Sequence, residues 1–151
     1  MTMQFAYPRY VGKAPVLAGV LRPVRPRPVI PLTLVGPSGT QLIYGLIDTG
    51  ADDTVIPDHV AVAIGIDLTA ASTGSSRGVG GSAMELRFVE IPLRIDGDEG
   101  VHEWTARVAF APLGSRPALL GFAGFLQYFT ACFHGDLEFV ELTTNALYPG
   151  T

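Results

Sequence analysis

Leu46-Ile47-Asp48-Thr49-Gly50-Ala51-Asp52-Asp53-Thr54-Val55-Ile56-Pro57 is the stretch on which the reading of this chain turns. An apolar run leads straight into Asp-Thr-Gly-Ala, and a second apolar run follows. A carboxylate at the end of a buried strand is costly to keep charged unless something shares its proton or its hydrogen bonds. Thr49 supplies a hydroxyl, Gly50 admits a close backbone, and Ala51 leaves room beside the carboxylate. A strand ending in an ordinary Asp-Gly turn is the plain alternative. The apolar flanks and the pattern farther along the chain argue against it.

Upstream, Val29–Val35 and Gln41–Ile47 flank Gly36-Pro37-Ser38-Gly39, which reads as a β-hairpin whose second strand delivers Asp48. Downstream, Pro57-Asp58 opens a short helix with Asp58 as expected N-cap, an exposed His59 on its first turn and Gly65 as the stop. Residues 72–82 are rich in Gly and Ser. A phosphate cradle would need a helix immediately after them, yet Met84–Ile95 alternates at period two. A hairpin tipped by Gly78, Val79, Gly80 and Gly81 fits better, and its glycines allow it to open and close. After the Asp96–Gly100 turn, Val101–Phe110 is another alternating strand in which Trp104 is expected to pack. Then come a loop with Pro112, Leu113, Gly114 and Pro117, the element Leu119-Leu120-Gly121, and a helical pattern over Phe122–Phe129. Thr130–Phe133 and Leu137–Leu142 close the chain as strands around His134-Gly135-Asp136. Short strands between Gly/Pro turns predict an all-β barrel or sandwich with one or two short helices. Residues 1–27 read as an irregular, Pro-rich N-terminal arm and residues 28–151 as the single domain.

Four features in this order resemble the retropepsin-like, or retroviral-type, aspartic proteases across residues 28–142. They are the hairpin into Asp48-Thr49-Gly50-Ala51, the Gly78–Gly81 tip, Leu119-Leu120-Gly121, and the helix expected after it. The segment Leu120–Phe129 is closer to the bacterial branch. In the viral pattern an arginine follows the glycine and pairs with the aspartate matching Asp52; here Phe122 stands in its place, and Arg116 or an N-terminal arginine from either subunit is the candidate substitute. The resemblance implies a closed β-barrel acid-protease fold with one lobe per chain. It implies Asp48, Thr49 and Gly50 as the catalytic loop, with Ala51, Asp52, Asp53, the Gly78-Val79-Gly80-Gly81 flap and Leu113 against substrate. Leu46 and Ile56 join Val79 and Leu113 as apolar pocket candidates.

That chemistry uses two carboxylates sharing a proton, one polarising the scissile carbonyl while the other takes a proton from water. The chain carries one Asp-Thr-Gly, and 151 residues suit one domain rather than two lobes. The second Asp48 is therefore expected from another copy, on the axis of a two-fold homodimer acting on a peptide or protein substrate. Leu137–Leu142 is the expected interface strand. A dimer that keeps the fold and binds peptides without cutting them is the rival.

Composition narrows the remaining classes. Hydrophobic residues make up 48% of the chain and charged residues 16%, below the ~25% typical of globular proteins, which favours a large core or surface hidden in an oligomer. A net charge of −4 argues against a nucleic-acid partner, and five of the ten basic residues lie in the first 27 positions. The Arg22–Pro28 strip reads as an extended, solvated segment. The single Cys132 excludes an internal disulfide and sits in an apolar pattern, so an inert buried thiol is expected. The three histidines have no ligand spacing, so no metal or cofactor is expected. No stretch reaches the ~18 apolar residues of a membrane helix, and a cytoplasmic protein without membrane partners is the expectation.

Overall fold

Strands β6 (Val29–Gly36) and β7 (Gly39–Ile47) form the predicted hairpin, in register from Val29↔Leu46 to Gly36↔Gly39. The computed structural model describes residues 2–11, 16–17, 20–21 and 24–150; Arg22 and Pro23 of the basic strip lie outside them. Before the hairpin come β1 (Thr2–Ala6), β2 (Arg9–Val11), β3 (Val16–Leu17), β4 (Val20–Leu21) and β5 (Val24–Pro26). After it come β8 (Val55–Pro57), α1 (Asp58–Ala63), β9 (Ser72–Arg77), β10 (Ala83–Gly97), β11 (Gly100–Ala111), β12 (Ala118–Leu120), β13 (Phe129–His134) and β14 (Phe139–Thr144).

Six strands close into a barrel in the order β11-β8-β12-β7-β6-β10, the β10–β11 pairing completing the ring, and β9 extends β10 beyond it. Alternation places Ile30, Leu32 and Leu34 of β6, Ile91, Leu93 and Ile95 of β10 and Trp104, Ala106 and Val108 of β11 in one core. A smaller cluster gathers Val55, Leu86, Ala109, Ala111 and Leu113, with Met84, Phe88 and Leu119 against it.

Several expectations need correction. Asp58 is not the N-cap: Pro57 occupies that position without a side-chain bond, and Asp58 falls in the first turn. Phe122–Phe129 does not form a helix beyond the single 3₁₀ turn Leu126–Tyr128. Gly124 stands at φ 89, which takes the chain out of helical conformation. The apolar residues at helical spacing instead enter an aromatic cluster of Trp104, Phe125, Phe129 and Tyr148. Trp104 is packing, as expected, and its Nε1–H donates to the Gly124 carbonyl at 3.0 Å.

The stretch read as an irregular arm contains β1, which pairs with β14 from Thr2↔Thr143 to Ala6↔Phe139 and buries Met3 completely. The terminal sheet has the order β1-β14-β13. Leu137 lies in the turn before β14, and β14 is the middle strand, so the segment expected at an interface has both edges filled within its own chain. Cys132 is exposed, not buried, because it occupies the outward parity of β13 while Phe129 faces the core. Among the described residues no helix is long and apolar enough to cross a membrane. Nor, among the same residues, do three His, Cys, Asp or Glu side chains assemble as a metal site.

Candidate active site

Asp48 emerges from β7 directly beside β12, which runs parallel to β7 with Leu119↔Leu46 and Leu120↔Ile47 in register. The Leu120 carbonyl accepts the Asp48 N–H at 3.1 Å, so the strand end is fixed before the loop begins. Within the loop the Gly50 N–H donates to Asp48 Oδ1 at 2.9 Å, and the Ala51 N–H donates to the Asp48 carbonyl at 3.2 Å. These bonds orient the carboxylate and leave it half-buried, with Thr49 and Gly50 exposed beside it.

The rest of the loop is laced to the segment after β12. Phe122 N–H donates to the Ala51 carbonyl and Ala123 N–H to that of Asp52, each at 2.9 Å, while Thr54 N–H donates to the Ala123 carbonyl at 3.0 Å. Asp53 and Ala123 form a parallel bridge. Gly121 shows why the apolar-apolar-glycine element has its form. A Cβ there would collide with the carbonyl oxygens of both Ala51 and Asp53. The glycine lets two backbones touch, and this contact holds the Asp48 loop in shape.

The structure joins Asp48, Thr49, Gly50, Ala51, Asp52 and Asp53 in one hydrogen-bonded loop. Leu113 is 5% exposed and belongs to the smaller cluster, which reaches the loop through Val55 and Leu119. Ile56 is fully buried in the main core, and Leu46 is half-buried. Gly78, Val79, Gly80 and Gly81 form an exposed tip between β9 and β10, closed by a Gly81 N–H bond to the Gly78 carbonyl at 3.1 Å. Met84, Leu86 and Phe88 at the base of that hairpin were not singled out from sequence. The even positions of the β10 alternation carried that signal, since these are the residues packed against Val55 and Leu113.

Asp52 is exposed, and its carboxylate has no ion-pair partner among the described residues. Of the arginines expected as substitutes, Arg116 Nε donates to the Leu113 carbonyl at 3.1 Å and Arg9 pairs with Glu138 at 2.8 Å, while Arg22 lies outside the described residues. Phe122, in the arginine's place, is 61% exposed.

The chain belongs to the aspartyl protease family, whose model matches residues 35–122. It has the retropepsin-like fold. A retropepsin-like aspartic protease from Rickettsia conorii superimposes with a TM-score of 0.56 at 18% identity, covering 78% of this chain and 90% of that one. EIAV protease complexed with the inhibitor HBY-793 aligns with a TM-score of 0.45 at 20% identity, covering 68% and 88%. No curated protein sequence matches. Family and fold together support a protease-type function.

Proposed function

We propose that the chain is an aspartic endopeptidase whose site is completed by a two-fold homodimer, each copy supplying one Asp48. The observation that carries this reading is the Asp48 carboxylate at the end of β7, held by the Gly50 N–H at 2.9 Å and present in one Asp-Thr-Gly per chain. Two such carboxylates facing across an axis cannot both ionise cheaply, so one proton is held between them. The protonated member polarises the scissile carbonyl and the ionised one takes a proton from water. The water attacks the carbonyl carbon, and no covalent enzyme intermediate forms. Thr49 braces the two loops, Gly50 and Ala51 to Asp53 line the substrate backbone, and Val79 on its glycine tip covers it, with Leu113 in the apolar wall. The reaction needs no cofactor. The free Cys132 suits the cytoplasm.

The test is incubation with a diverse peptide mixture from about pH 3 to pH 7, which spans the ordinary carboxylate range and neutrality, beside an Asp48→Asn control. Cleavage by the wild type alone is the expected result. Peptide binding without cleavage in both proteins supports the non-cutting rival.

A further inference from the structure

Charge is segregated along this chain. Residues 1–47 carry five of the ten cations and no carboxylate; all 14 carboxylates lie from Asp48 onward. Such segregation favours a charged partner. The fold turns part of it into a site. β2 and β5 pair with Arg9↔Pro26 and Tyr10↔Arg25 in register, and the Arg27 guanidinium lies over the Tyr10 ring, 5.9 Å from its centre. Tyr10 in turn walls a cavity of about 310 Å³ beside β7, the start of α1 and the 114–118 segment. Tyr44, Val60 and Pro117 extend its apolar wall, and His59, Ser115 and Arg116 supply polar groups. Among the described residues no carboxylate lines it: Glu138 is taken up by Arg9, and Asp58 lines a different cavity beside Glu85 and Arg87. Tyr10 and Tyr44 are 40% and 56% exposed, a large aromatic surface left to solvent.

We propose that this cavity is a docking site for an acidic segment of a peptide or protein substrate. An apolar side chain of that segment enters between Tyr10 and Tyr44, and its flanking carboxylates meet Arg27 and Arg116. Tyrosine and arginine together are the residue types that carry binding energy at such contacts. Only the Nε of Arg116 is engaged, with the Leu113 carbonyl at 3.1 Å, which leaves its two terminal nitrogens for a ligand. A cavity of this size takes up a side chain, which a lipid surface does not offer. The site also adjoins the proposed cleft. Tyr44 shares its face of β7 with Leu46, two residues before Asp48, and Arg116 holds the turn that carries Leu113. A docked segment lies beside the same strand and turn, and it tethers the rest of its chain near Asp48. The contribution to hydrolysis rests on the endopeptidase reading; the binding itself does not.

Fluorescence anisotropy of a fluorescein-labelled Glu-Glu-Phe-Glu-Glu peptide with the Asp48→Asn protein keeps cleavage out of the measurement. Saturable binding is expected, weakened about tenfold by Tyr44→Ala and about tenfold by Arg116→Glu. Arg116→Lys, which keeps the charge, retains more affinity than Arg116→Glu, and circular dichroism stays native in all three. A Lys-Lys-Phe-Lys-Lys peptide does not bind. Joined by a flexible linker to a peptide that the wild type cuts, the acidic segment lowers KM about tenfold at constant kcat. Tyr44→Ala cancels that gain and leaves cleavage of the unjoined peptide unchanged. Absence of binding, equal binding of the lysine peptide, or an affinity that neither Tyr44→Ala nor Arg116→Glu lowers overturns the site. So does capture by phosphatidylserine vesicles in place of peptide. Selective binding by a wild-type protein that hydrolyses nothing keeps the docking site and overturns the endopeptidase reading instead.

Discussion

Two glycine-bearing loops of this molecule are built to opposite ends. In the Asp48 loop every neighbour is spoken for: Leu120, Phe122 and Ala123 bond its backbone, and Gly121 packs so closely against Ala51 and Asp53 that no side chain fits between. At the Gly78–Gly81 tip a Cβ on Gly78, Gly80 or Gly81 would find nothing within 4 Å, and Gly80 and Gly81 stand at φ 98 and 79. The same residue type locks one loop by permitting close approach and frees the other by permitting unusual backbone angles. The proposed chemistry needs a carboxylate held still, and the proposed cover needs room to move.

The largest effect is expected at the locked loop. Asp48→Asn keeps the size and the loop bonds yet removes the shared proton, so turnover falls about a thousandfold or more while the fold survives. Peptide hydrolysis rates beside a thermal melt measure both halves of that statement. Gly121→Ala attacks the lock itself. The added methyl meets two backbone carbonyls that have no free side-chain end to yield, and unfolding stability drops by about 3 kcal/mol or more in a denaturant titration.

The tip responds far less. Alanine at Gly80 or Gly81 meets no atom and costs about 1 kcal/mol of backbone strain, lowering the melting temperature by about 2 to 4 °C. Amide exchange over residues 76–82 is expected to be fast in the free protein and slowed by a peptide-like inhibitor. Exchange unchanged by the inhibitor would remove the covering role and leave the catalytic loop untouched.

The contrast also shows how far the sequence could be read. The β6–β7 hairpin and the period-two run of β10 were legible because alternation over many residues leaves little choice of face. The Asp48–Asp53 loop and the Leu119-Leu120-Gly121 element stood out because their residue types are chemically constrained; the structure places them against one another. Phe122–Phe129 misled because its apolar residues at helical spacing serve a cluster around Trp104, and tertiary packing overrode local pattern. β1 was hidden by the prolines after it, although Met3 and Phe5 already alternated with Thr2 and Gln4. Cys132 was misplaced for want of parity: on a strand, one step along the chain separates the core face from solvent. Whether an arginine faces Asp52 was beyond sequence altogether, since distant partners such as Glu138 for Arg9 are decided by the fold.

In the proposed enzyme one active site belongs to two chains. Mixing wild-type protein with excess Asp48→Asn, after allowing subunits to exchange, tests it most directly. With a tenfold excess of the variant, random pairing leaves about a tenth of the wild-type chains in fully wild-type dimers, and peptide hydrolysis is predicted to fall to about that fraction. Hydrolysis that stays proportional to the wild-type chain alone, whatever the excess, would mean that a single Asp48 suffices and would contradict the account.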